Sequence, residues 1–120
     1  MDTITEFTSG GNTVLGCWLI VASFVFNTPA VSRWHDVLVG ATIALVAGYN
    51  FTRSIRRRPV NMLGAGSVTV LGCWLVVAPF VFGLESPPLW NDVISGTIVA
   101  SFGSYNTYVA TIADRSPPFI

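Results

Sequence analysis

Apolar positions fall into four runs, broken by short polar stretches. The runs cover residues 13–26, 34–51, 62–84 and 90–113. Crossing about 30 Å of hydrocarbon takes about 20 mostly apolar residues. The third and fourth runs reach that length. The second is borderline but carries no charge between Val37 and Thr52. The first is short by itself.

An internal repeat resolves the short run. Thr13-Val14-Leu15-Gly16-Cys17-Trp18-Leu19 returns as Thr69-Val70-Leu71-Gly72-Cys73-Trp74-Leu75, an offset of 56 residues (Thr13 to Thr69). Phe24-Val25-Phe26 returns as Phe80-Val81-Phe82 at the same offset. So do Trp34, Asp36, Val37, Gly40, Tyr49 and Asn50, as Trp90, Asp92, Val93, Gly96, Tyr105 and Asn106. The chain is a tandem duplication of one unit, residues 8–52 and 64–108. Its equivalence to the third run sets the start of the first helix back near Phe7 or Thr8. The predicted fold is all-α: a single membrane domain over 1–120, built as a four-helix bundle of two helical hairpins.

Short basic loops stay in the cytoplasm. Arg53, Arg56, Arg57 and Arg58 lie in the linker 53–61, so this linker is expected inside. Four spans then put both termini inside as well, in a multi-pass protein of the cell membrane. The outer connections, 27–33 and 83–89, are short, so neighbouring helices run antiparallel. Each unit has an even number of spans, so both point the same way. Their pseudo-twofold axis is expected along the membrane normal. The first residues carry Asp2 and Glu6 rather than a basic leader, so the first helix is expected to be retained as a span.

Composition supports the membrane reading. Charged residues are 10 % of the 120-residue chain and hydrophobic residues 52 %, with a mean hydropathy of +0.63. Soluble domains carry roughly 25 % charge, and so few charges cannot coat a soluble surface. Disorder is excluded on the same grounds. The net charge is zero, which removes the basic footprint of a nucleic-acid binder.

Small residues recur at spacing four on the second helix of each unit: Gly40, Ala44 and Gly48, then Gly96, Ala100 and Ser104. Spacing four makes one stripe. In lipid, stripes of small residues let helix backbones approach. Helices two and four are expected to pack on this stripe, against each other or a neighbouring protomer. A pore lining is the alternative. Trp34 and Trp90 are expected at the outer helix starts as interface anchors. Pro79 should kink the third helix, and its equivalent, Ser23, cannot.

The repeat resembles the SPW repeat, a two-helix membrane unit named for a Ser-Pro-Trp in its first helix. The resemblance rests on Leu71-Gly72-x-Trp74-Leu75 and on Trp90-Asn91-x-x-x-x-Gly96, with His35 replacing Asn91 in the first unit. At the name motif stand Ala78-Pro79-Phe80 and Ala22-Ser23-Phe24, so Pro79 alone keeps its place. The resemblance covers both units. It implies an integral membrane protein of paired helices and names no activity.

Few residues carry chemistry. Asp36 and Asp92 are expected in the first turns of helices two and four, where a carboxylate suits the helix dipole. The plain reading is a helix-start anchor. The sharper one is a symmetric pair of acids near an axis, binding a cation or relaying protons. His35 is the single histidine and is expected to hydrogen-bond at the outer interface. Cys17 and Cys73 read as small hydrophobes; if helices one and three meet at the axis, their thiols approach. Asn50 and Asn106 close the second helix of each unit. The tail from Arg115 to Ile120 cannot be helical at Pro117 and Pro118. There is no nucleophile–base pairing, phosphate loop or metal-spaced cluster, so neither enzyme activity nor a cofactor is expected. The leading functional expectation is a non-catalytic structural protein, a homo-oligomer or an accessory subunit of a larger membrane complex. The alternative is a small channel or carrier for a neutral solute or ion.

Overall fold

The computed structural model describes residues 2–26, 30–56, 61–83 and 88–115. These form four helices: α1 Asp2–Val25, α2 Ala30–Ile55, α3 Met62–Val81 and α4 Pro88–Arg115. The pairs α1–α2 and α3–α4 pack most extensively, as two hairpins. The α1–α4 and α2–α3 edges are lighter, and α1–α3 and α2–α4 are the diagonals of the bundle. The repeat is therefore a pseudo-twofold about the bundle axis.

α1, α2 and α4 are longer than their apolar runs, while α3 ends at Val81, before its run does. α1 begins at Asp2 rather than near Phe7 or Thr8. Its early polar residues are satisfied inside the bundle, with Thr8 Oγ1 donating to Asn106 Oδ1 on α4 at 2.6 Å. α2 runs from Ala30 through Ile55, so Arg53 belongs to the helix and the linker shortens to 56–61. Asn61 caps α3 by accepting from the Gly64 N–H at 2.8 Å. At the far end of α3, Gly83 takes the left-handed turn at φ 66°. The helix continues past Pro79 to Val81. Residues 116–120 of the proline-containing tail lie outside the described residues.

Three helices, α1, α2 and α3, are long and apolar enough to cross a membrane. α4 was expected to be the clearer case and falls short. Its 28 residues include many hydroxyl and amide side chains. Several of those hydroxyls bond their own helix: Thr97 to Val93, Ser101 to Thr97 and Thr107 to Gly103, each at 2.8 Å to the carbonyl. A hydroxyl satisfied four residues back leaves no bare donor. The polarity that lowers the hydropathy of α4 is thus largely neutralised within the helix.

The small-residue stripes pack inside each hairpin, not between α2 and α4. A Cβ on Gly16 would lie 2.6 Å from the Gly40 carbonyl oxygen, and one on Gly72 would lie 2.5 Å from the Ala100 nitrogen. The reason is connectivity: a short connection joins α1 to α2 and α3 to α4, while α2 and α4 are left diagonal. Ser104 faces outward. Its neighbour Gly103 makes the close approach instead, meeting Thr69. Gly48 is looser, with Thr13 3.7 Å from its ideal Cβ.

Leu19, Val39, Ile43, Ala47, Val68, Leu75 and Val99 form the core. Leu19 and Leu75 are repeat mates, as are Ile43 and Val99. The outer surface is apolar too, with Leu63 81 % and Leu45 76 % exposed. Cys17 and Cys73 are free and exposed, on helices that lie diagonally. The condition under which their thiols would approach, a meeting of helices one and three, is not met.

Candidate functional site

Polar side chains gather at the two ends of the bundle, and the acids sit at the end where α1 joins α2 and α3 joins α4. Asp36 on α2 and Asp92 on α4 are 4 % and 2 % exposed. Neither helix has an acid in its first turn, because each starts earlier than the apolar run. The helix dipole fades beyond the first turn, so the dipole-anchor reading fails. The pseudo-twofold instead points both side chains at the axis, and the two carboxyls lie within hydrogen-bonding reach of each other.

Each acid carries an arm of neutral groups. Trp74 Nε1 donates to His35 Nε2 at 2.6 Å, and His35 Nδ1 lies 3.1 Å from Asp36 Oδ1. An indole N–H can only donate, so His35 Nε2 must accept, which puts the ring proton on Nδ1, facing Asp36. The ring also stacks edge-on with Phe82, with centroids 4.9 Å apart. On the other side Trp18 Nε1 donates to Asn91 Oδ1 at 2.8 Å, and the Asn91 side chain reaches Asp92. The arms are repeat mates, Trp18 with Trp74 and His35 with Asn91. Each links a tryptophan of one repeat to the neighbour of an acid in the other.

Sequence reasoning paired the acids but did not connect Trp18 and Trp74 to them. The signal available was that both tryptophans and both positions beside the acids repeat at one offset. Trp34 and Trp90, the expected anchors, lie in the second turn and first turn of their helices. They are 59 % and 55 % exposed on the outer surface. Both ring nitrogens of His35 are engaged, so it has no lone pair for a metal. Among the described residues no group of three or more His, Cys, Asp and Glu side chains is placed to hold a metal ion.

The opposite end carries a second polar layer. Asn106 Oδ1 accepts from Thr8 Oγ1 at 2.6 Å, and its amide donates to Ser9 Oγ at 3.1 Å. The repeat mate Asn50 accepts from the Asn61 N–H at 2.8 Å and donates to the Asn61 carbonyl at 3.3 Å. Asn106 therefore joins the two repeats, and Asn50 ties the end of the first repeat to the N-cap of α3. Between the layers, Asn12 donates to the Val99 carbonyl at 3.3 Å, while its Oδ1 is buried without a partner.

Two open apolar grooves mark the outer surface at repeat-equivalent places. One, of about 650 Å³, is lined by Met62, Leu63, Gly66 and Val70 among others. The second, of about 420 Å³, is lined by Glu6, Phe7, Gly10 and Val14 among others.

No curated protein and no solved structure matches the chain. The family model for the SPW repeat domain matches residues 6–106, which takes in both hairpins and both polar layers. The chain belongs to the SPW repeat domain family and is a membrane protein.

Proposed function

We propose that this is a non-catalytic, four-pass protein of the cell membrane that acts by helix packing, as a homo-oligomer or as an accessory subunit of a larger complex. The observation that carries this reading is the filled axis. Leu19, Ile43, Leu75 and Val99 are almost fully buried and close the interior between the polar layers. The stripes of Gly40 and Gly96 are used within the hairpins, so assembly must use other small residues. Gly66 qualifies: a Cβ there would meet nothing within 4 Å, and it lines the larger groove. In lipid, a helix of another chain packs best where small residues leave the backbone open. The basic stretch that begins at Arg53 on α2 and runs into the linker supports cytoplasmic termini.

The test is the native mass of gently extracted protein, with identification of co-purifying chains, for the wild type and for Gly66→Leu. A multimer or a foreign partner that Gly66→Leu dissociates supports the reading. A wild type that runs as a lone monomer removes it.

A second reading, a small channel or carrier, is favoured by the meeting of Asp36 and Asp92 on the axis. Solute or ion flux into liposomes, abolished in an Asp36→Ala/Asp92→Ala variant, would establish it against the filled core.

A further inference from the structure

We propose that Asp36 and Asp92 hold a single proton between them and that this proton fastens the two repeats at one end of the bundle. Removing it loosens the joint. The joint is a proton-operated clasp across the α2–α4 diagonal.

The argument is geometric. An ionised carboxylate accepts hydrogen bonds and donates none. Two carboxyls in reach of each other form a bond only if one is protonated. Without that proton, two like charges face each other in a buried position, which is strongly unfavourable. Among the described residues, the neighbouring neutral groups do not supply a second way to close the pair. α1 presents Trp18 and α3 presents Trp74, both neutral and both already donating elsewhere. α4 presents Asn91. α2 presents His35, held in its neutral tautomer by Trp74, and Arg33, whose guanidinium lies 5.5 Å over the Phe24 ring.

The placement gives this pair mechanical weight. α2 and α4 do not pack along their backbones, so the carboxyl pair links them directly across the bundle. Around it, the two tryptophan arms tie α3 to α2 and α1 to α4. Loss of the central bond leaves these flanking arms as the polar joints at this end.

The test uses the whole protein in detergent or nanodiscs, with two readouts. The first is the infrared carbonyl-stretch signal of a protonated carboxylic acid in neutral buffer. It should be present in the wild type and lost in either Asp36→Asn or Asp92→Asn, since the new amide donates to the remaining carboxylate. The second is the distance between spin labels on the native, exposed Cys17 and Cys73, which sit beside the two tryptophans. In the wild type it should shift to longer values from mildly acidic to mildly alkaline buffer. In Asp92→Asn, checked for unchanged helical content, it should stay short throughout. The proposal is overturned if the wild type shows no such carboxylic signal, or if its label distance does not change with pH.

Discussion

Gly16 and Gly40 meet backbone to backbone, and each ideal Cβ would fall within 2.7 Å of the other's carbonyl oxygen. Gly72 and Gly96 repeat the contact in the second hairpin, at 2.9 and 2.7 Å. At both crossings the nearest atoms are backbone. Gly16→Ala or Gly72→Ala should therefore destabilise its hairpin by about 1–3 kcal/mol, the usual cost of overpacking. Gly66→Ala, which opens onto empty space, should be neutral or stabilising by up to about 1 kcal/mol. Denaturant titration of helical content in detergent distinguishes the two; equal stabilities would contradict the close approach.

Trp74→Phe keeps the ring but removes the donor to His35. The expected loss is about 1 kcal/mol. The same change frees Nε2, so the fixed tautomer of His35 should give way to a mixture, visible in nitrogen NMR shifts of the imidazole. Trp18→Phe should cost a similar amount and leave the histidine spectrum unchanged.

Asn12 occupies the repeat position held by Val68 in the second unit, and Val68 packs cleanly in the core. The buried oxygen of Asn12 has no partner. Asn12→Val should be neutral or stabilising by about 1 kcal/mol, because a desolvated orphan acceptor is removed. A loss above about 2 kcal/mol would show that the oxygen is bonded in the folded protein, for instance to a buried water.

The two asparagines at the other end should behave oppositely to Asn12. Asn106→Leu breaks bonds to Thr8 and Ser9, and Asn50→Leu breaks two bonds to the Asn61 backbone. Each leaves buried partners unsatisfied, at about 1–3 kcal/mol. The loss should fall on the joint between repeats, so increased proteolysis of the linker near Arg56 is the readout.

How far the sequence could be read follows from what each signal encodes. The offset of 56 residues displayed the duplication, and short outer loops dictated antiparallel hairpins. A small-residue stripe announces that some backbone comes close, but not which one. The loop lengths chose α1 for Gly40, where the stripe alone left α2–α4 open. The acids were visible as equivalents, yet equivalence places two groups around an axis without setting their distance from it. That distance depends on helix rotation, which is fixed by the packing of Gly16 on Gly40. Helix starts were misjudged because hydropathy ends where polar residues begin. The fold extends α1 to Asp2 because residues such as Thr8 and Ser9 find partners in α4. The freedom of the Asn12 oxygen could not be inferred, since polar core residues are ordinarily paired.

The tryptophan bonds at the acid end run from one repeat into the other, and they do so twice, in mirrored roles. Trp18 reaches Asn91 as Trp74 reaches His35. Such reciprocity is the signature of an isologous contact. A solitary hairpin of this sequence would already carry the surface needed to pair with its own twin. The duplicated chain is in effect a dimer whose halves are covalently leashed, which keeps the partner at high local concentration. Once leashed, the halves no longer need to be alike. Asn12 beside Val68, Ser23 beside Pro79 and His35 beside Asn91 record that freedom. Each is a change that an obligate pair of identical subunits would have had to accept twice.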